Sequence, residues 1–133
     1  EPVLRVLTGE GYYVDRDGRV MPLSSKFTSR VVVATGDINK KFACEKLGPF
    51  AMKLKNEPFW DAYIEQLVVR SNEDVVMIPK VGDFRIVLGK VDDCDARLEK
   101  LILFLKDGIT KKGWNRYKEI NLKFDNQVVC VRK

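Results

Sequence analysis

Residues 117–132 read Tyr117-Lys118-Glu119-Ile120-Asn121-Leu122-Lys123-Phe124-Asp125-Asn126-Gln127-Val128-Val129-Cys130-Val131-Arg132. Two β-rich runs, 120–124 and 127–131, flank Asp125-Asn126, a pair whose short side chains tolerate positive φ. That pattern predicts a tight two-residue β-hairpin. Almost no chain follows it, so the last strand is expected to lie uncovered at the edge of a sheet. The backbone N–H and C=O groups of an edge strand are open to pairing with another chain. The stretch points to a binding module before it points to an enzyme.

Working back from the hairpin, residues 92–106 carry Cys94, Leu98, Leu101, Ile102 and Leu105 at a spacing that forms one apolar helical stripe. Asp92, Asp93 and Asp95 fall in the first turn and Lys106, Lys111 and Lys112 near the end, matching the helix dipole. Gly108 or Gly113 ends the helix. Before it, residues 64–70, 74–79 and 84–88 read as strands joined by Ser71-Asn72-Glu73 and by Lys80-Val81-Gly82-Asp83, connections short enough to make them antiparallel neighbours. Glu57-Pro58-Phe59-Trp60 opens a short turn or helix. Residues 40–55 suit a helix capped by Asp37 or Asn39 and interrupted at Gly48-Pro49. Residues 31–34 form a buried-looking run stopped by Thr35-Gly36. Tyr12-Tyr13-Val14 and Arg19-Val20-Met21 flank the turn-rich Asp15-Arg16-Asp17-Gly18 as a further hairpin, and residues 3–7 read as a strand. The order β-β-β-α-β-β-β-α-β-β predicts an α+β fold: an antiparallel β-sheet with two helices packed on one face and the C-terminal β-hairpin at the sheet edge.

A chain of 133 residues with 45% hydrophobic content suits one domain with a single core. No apolar run approaches the roughly 20 residues of a membrane span. Glu1 is not a start methionine, so the chain is expected to be a piece of a longer protein. Net charge is +5, and the excess sits at one end. Residues 1–105 carry 16 basic and 16 acidic groups, residues 106–133 eight basic against three acidic. With Trp114, Tyr117 and Phe124 nearby, that end could meet an acidic protein, an anionic lipid surface or nucleic acid. A solvated rim whose lysines protect an edge strand from aggregation explains it equally well.

The catalytic inventory is thin. The chain has no histidine, which removes the commonest general base, nucleophile partner and metal ligand together. Asp15-Arg16-Asp17-Gly18 has the opening of a calcium loop but neither the third ligand nor the downstream bidentate Glu. Gly82, Gly89, Gly108 and Gly113 form neither a P-loop nor a dinucleotide fingerprint. Cys44, Cys94 and Cys130 are an odd set with no close pair, leaving buried free thiols or one Cys44–Cys94 bridge. No catalytic residue, cofactor or metal site is expected. A nucleic-acid or anionic-surface binding module using the basic C-terminal end stands as the alternative to a protein-binding module.

The motifs, taken in order, resemble those of the bacterial cell-division family FtsQ, called DivIB in Gram-positive bacteria. They are Tyr13-Val14-Asp15 with Gly18, Val31-Val32-Val33 with Gly36, Pro58-Phe59-Trp60 and Ile64-Glu65-Gln66. Then come Ile78-Pro79-Lys80-Val81-Gly82, Leu88-Gly89, Leu98-Glu99-Lys100-Leu101, and Tyr117 with Ile120-Asn121-Leu122-Lys123-Phe124 and Asn126-Gln127-Val128-Val129-Cys130. The ordered set spans nearly the whole chain, and its last motif is similar to versions from the Bacteroides group.

The resemblance implies a non-enzymatic, single-pass inner-membrane protein of the division septum, with a transmembrane helix, a POTRA domain and a β domain in the periplasm. Residues 1–8 would end the POTRA domain and residues 9–133 would form the β domain. It also implies binding to the bitopic division proteins FtsB and FtsL, a part in controlling the septal peptidoglycan synthesis complex, and no nucleic-acid partner. In the family the partner adds as a strand beside the last strand, assisted by basic side chains. By position, Lys123 and Phe124 match a basic–aromatic pair, Asn126 a small polar position, and Val128, Val129 and Val131 the terminal strand. Arg70 matches a basic contact at the end of a preceding strand. Arg132 departs from the family, standing where proteobacterial members place a tryptophan. Alternation puts Val129 and Val131 on one face and Val128 and Cys130 on the other, with either set free to be the buried one.

Overall fold

The computed structural model describes residues 2–23, 30–106, 117–123 and 128–132. They build one nine-stranded sheet from β1 (Pro2–Val6), β2 (Tyr12–Asp15), β3 (Val20–Pro22), β4 (Val32–Gly36), β5 (Ile64–Arg70), β6 (Asp74–Pro79), β7 (Arg85–Gly89), β8 (Tyr117–Asn121) and β9 (Val129–Arg132). The spatial order is β3-β2-β1-β4-β5-β6-β7-β8-β9. The α+β class and the C-terminal hairpin match the expectation. The sheet is mostly antiparallel but mixed, because β1–β4, β4–β5 and β7–β8 pair in parallel. The reason is connectivity. Parallel neighbours need a crossover rather than a tight turn: helical segments lie between β4 and β5 and between β7 and β8, and the β2–β3 hairpin lies between β1 and β4.

Residues 40–56 are helical throughout: α1 (Lys40–Phe42), a π-helical turn (Ala43–Leu47) and α2 (Gly48–Asn56). Asn39 is the cap, its Oδ1 accepting the Phe42 N–H at 2.7 Å, which satisfies one of the orphan donors of a helix start. The interruption expected at Gly48-Pro49 takes the form of a widened turn rather than a break. The Gly48 N–H donates to the Ala43 carbonyl, five residues back, and Pro49, which has no N–H to donate, is absorbed into the first turn of α2. A short α3 (Pro58–Tyr63) follows, and α4 (Asp95–Phe104) precedes β8.

Both helical regions lie on one face. Lys46–Asp92 and Lys53–Asp95 ion pairs join them, and Phe42, Leu47, Phe50, Leu54, Leu98 and Leu101 pack in one cluster with the sheet. The sheet contributes alternate residues to that cluster: Leu4 and Val6, Leu67 and Val69, Val75 and Met77, Ile86 and Leu88, and Ile120. Period-two alternation therefore assigns Arg5, Val68, Asp74, Val76, Val87 and Asn121 to the opposite face. Gly36 ends β4 at φ +109, and a Cβ there would stand 2.2 Å from the Val69 carbonyl oxygen, so only glycine fits.

The C-terminal hairpin pairs Asn121 with Val129 and Ile120 with Cys130. A two-residue turn at Asp125-Asn126 would instead set Asn121 opposite Cys130, so the observed register is shifted by one residue from the expected tight turn. The turn itself, with Phe124, Asp125, Asn126 and Gln127, lies outside the described residues.

Candidate functional site

The two outer strands of the sheet differ. At one end β3 has three residues and closes on Pro22, which has no N–H to offer a neighbour. At the other, β9 pairs with β8 on one side and with no strand on the other among the described residues. Such an edge presents a row of backbone donors and acceptors.

Register settles which face of β9 is which. Cys130 lies opposite Ile120, a fully buried core residue, and both Cys130 and Val128 pack against the core. Val129 and Val131 lie opposite Asn121 and Glu119 on the face turned away from the described helices, each partly exposed. An added strand would therefore meet Val129 and Val131 on one face and the rim of the core on the other. Burial pushes the Cys130 thiol above its ordinary pKa, which keeps it protonated and unreactive. All three cysteines are unpaired.

Arg70 and Lys123 are brought together, though 53 positions separate them in sequence. Arg70 ends β5 and Asp74 opens β6, across the three-residue turn Ser71–Glu73. The Arg70 Nε and Nη2 both donate to Asp74 Oδ2, at 3.2 and 2.6 Å. Lys123, two residues beyond β8, reaches the other oxygen, Oδ1, at 3.4 Å. Asp74 is the sunken member of the trio: its side chain is 14% exposed, against 44% for Arg70 and 48% for Lys123. Partial burial pushes the Asp74 carboxyl up, but the Arg70 hydrogen bonds and the Lys123 and Arg70 charges outweigh it and hold the pKa below its ordinary value.

Lys123 crosses β7 at Gly89, which has φ +90 and no side chain in the way. Its backbone is fixed as well. The Lys123 N–H donates to Asn121 Oδ1 at 2.9 Å, and the Leu122 N–H donates to the Val87 carbonyl at 2.8 Å. The trio borders a recess of about 710 Å³ whose walls also carry Lys90, Asp92, Asp93 and Arg97. Arg97 is committed to the scaffold, donating to the Leu88, Lys90 and Asp92 carbonyls.

Arg70 does not sit beside the terminal edge. It lies on β5, four strands in from β9, or about 19 Å at the usual spacing of about 4.8 Å between strands. Of the two, Lys123 is placed nearer the edge; Arg70 is linked to it through Asp74. Phe124 and Asn126 lie outside the described residues. Sequence reading missed Asp74 and Gly89. Asp74 opens its strand opposite Arg70 across a short turn, a signal for a cross-strand ion pair that was present in the sequence. Gly89 announces itself only as a glycine at a strand end. Among the described residues no group of His, Cys, Asp and Glu is arranged to hold a metal ion, and no helix is long and apolar enough to cross a membrane.

The family described as FtsQ/DivIB, C-terminal related, matches residues 1–131. The chain belongs to the FtsQ/DivIB family. Comparison with individually curated proteins finds no match. Membership gives this FtsQ/DivIB-related domain a role in cell division, in a non-enzymatic scaffold family of membrane-associated proteins that act at the division site within protein complexes. The mixed sheet with helices on one face and an outer terminal strand is the frame on which that role must be carried.

Proposed function

We propose that this FtsQ/DivIB domain binds the bitopic division proteins FtsB and FtsL by β-strand addition along β9, and thereby helps control the septal peptidoglycan synthesis complex. The observation that carries the reading is the position of β9, outermost in the sheet and paired only with β8 among the described residues. The partner's main chain would supply register and most of the affinity, with Val129 and Val131 contacting alternate side chains on one face and Val128 on the other. Lys123, Phe124 and Asn126 would flank the start of the added strand. Arg70, four strands away, would contribute through charge or through a partner segment that continues over the end of the sheet. Rim charges of this kind act mainly on association rate and specificity.

In the whole protein, residues 1–8 would continue from a POTRA domain and residues 9–133 would form the periplasmic β domain. A single transmembrane helix ahead of both would anchor the protein in the inner membrane at the septum. No catalytic residue is assigned.

The test is a titration of this domain with the extracytoplasmic FtsB–FtsL segment of the same organism, beside a Val129→Pro variant shown by circular dichroism to be folded. Saturable binding that survives moderate salt and is lost in the variant supports strand addition at β9. Equal binding by the variant removes the edge site. Binding that collapses steeply with salt, ignores the proline and is reproduced by single-stranded nucleic acid favours the basic-surface alternative.

A further inference from the structure

We infer that Asp74 masks Arg70 and Lys123 from below, and so sets how acidic a partner must be to engage these basic contacts at the end of the sheet. The inference rests on the strand-addition reading above and assigns Asp74 a specificity role within it. Its basis is the layering of the trio. The acid is nearly buried on the sheet, while both cations reach over it and keep about half of their side-chain surface in solvent. Two of the five guanidinium donors of Arg70 point down to Asp74 Oδ2. Lys123 spends one ammonium contact on Oδ1, leaving two donors for a further oxygen.

The rest of the recess is mixed in charge, with Asp93 also on its wall, so the trio sets the balance. Asp92, on the same recess, is paired with Lys46 outside it. The recess also carries Lys90, whereas Arg97 is turned to backbone carbonyls and adds charge without offering its donors. With Asp74 ionised, Arg70 and Lys123 present a net single positive charge; without it they present two, in the same place. The occupant that fits is a carboxylate side chain on a partner segment that continues past the strand added at β9, since the trio lies inward of that edge. A partner segment lacking acid would meet cations already satisfied from below and gain little.

The experiment uses the whole 133-residue domain as wild type, Asp74→Asn, Asp74→Asn/Lys123→Gln and Val129→Pro, each titrated with the extracytoplasmic FtsB–FtsL segment at low and at moderate salt. The mask predicts that Asp74→Asn tightens binding three- to tenfold at low salt, with a steeper salt dependence, and that Lys123→Gln in that background removes the gain. Binding by Asp74→Asn where the wild type shows none is the strongest form of the same result. Unchanged or weakened binding by a folded Asp74→Asn domain, while Val129→Pro still abolishes it, overturns the mask and leaves strand addition standing. Binding by neither wild type nor Asp74→Asn, or binding indifferent to Val129→Pro, overturns both.

Discussion

The side chain of Lys123 lies across Gly89: a Cβ at Gly89 would stand 3.0 Å from Lys123 Cγ and 3.4 Å from Arg97 Nη1. The absence of a side chain on β7 thus opens the path by which a residue beyond β8 reaches an acid on β6. Gly89→Ala would face two penalties. At φ +90 any L side chain is strained, by about 1–2 kcal/mol, and the Lys123 stem must lift away from Asp74. Urea unfolding should show a loss of about 1–2 kcal/mol. In a double-mutant cycle the cost of Asp74→Asn should shrink in the Gly89→Ala background, because the contact it removes is already loosened. Strict additivity would mean that Lys123 reaches Asp74 regardless of Gly89.

The Asp74 carboxyl gives a signed dependence of stability on pH. Its folded pKa lies below the ordinary value because Arg70 and Lys123 together outweigh the effect of burial. The ionised form is therefore favoured in the folded state. Its contribution is full above the unfolded carboxylate range, near about pH 4, and is lost as pH falls through the lower folded pKa. Both cations are about half exposed, so the contribution is held to about 0.5–1 kcal/mol by solvent screening. At pH 6 to 7 Asp74→Asn should be less stable than wild type by that amount, and the gap should close as pH falls toward 3. A gap that stays constant or widens in acid would show that the substitution acts through packing, not charge.

Much of this architecture was legible from residue pattern. Strands β5 and β6 cover residues 64–70 and 74–79, the two runs that the Ser71-Asn72-Glu73 turn sets apart, and the stripe from Cys94 to Leu105 does face the core. The parallel junctions fall where the intervening chain is long, across helical segments for β4–β5 and β7–β8 and across the β2–β3 hairpin for β1–β4, and short connectors carry no sign of them. At the site, placing Lys123 near the terminal edge and dividing the β9 valines into two faces needed only period-two alternation. The choice of buried face needed the register with Ile120, which depends on a turn that the Asp125-Asn126 pair misstates by one residue. An acid at a strand start has the sequence pattern of a solvated residue, and only the fold brings Arg70 and Lys123 together on Asp74.

The two faces of β9 should respond oppositely to charge. Cys130 faces Ile120 and packs against the core, so Cys130→Asp would force a carboxylate among apolar side chains at a cost of about 1–3 kcal/mol. Val131 faces Glu119 on the side turned away from the described helices, where Val131→Lys would gain a cross-strand charge pair, and stability should change by no more than about 0.5 kcal/mol. Thermal unfolding of the two variants ranks them directly. The reverse ranking would mean that the strand is rotated by one residue, with Val129 and Val131 in the core.

Gly36 and Gly9 separate backbone strain from lack of space. Both hold positive φ, +109 and +67, but a Cβ at Gly9 has nothing within 4 Å. At Gly36 the obstacle is backbone: the Val69 carbonyl oxygen would lie 2.2 Å away and the Val69 nitrogen 3.0 Å. That same carbonyl accepts the Asp37 N–H at 2.8 Å, so it cannot retreat without breaking the first contact after β4. It also belongs to the β4–β5 parallel junction, which joins the β1–β3 side of the sheet to the side that carries β9. Gly9→Ala should cost about 1 kcal/mol, the strain alone. Gly36→Ala should cost more than about 3 kcal/mol or prevent folding, since strain, a backbone clash and a lost hydrogen bond coincide. Denaturant midpoints for the pair decide the matter: equal losses at the two glycines would mean that the junction opens enough to admit a methyl group.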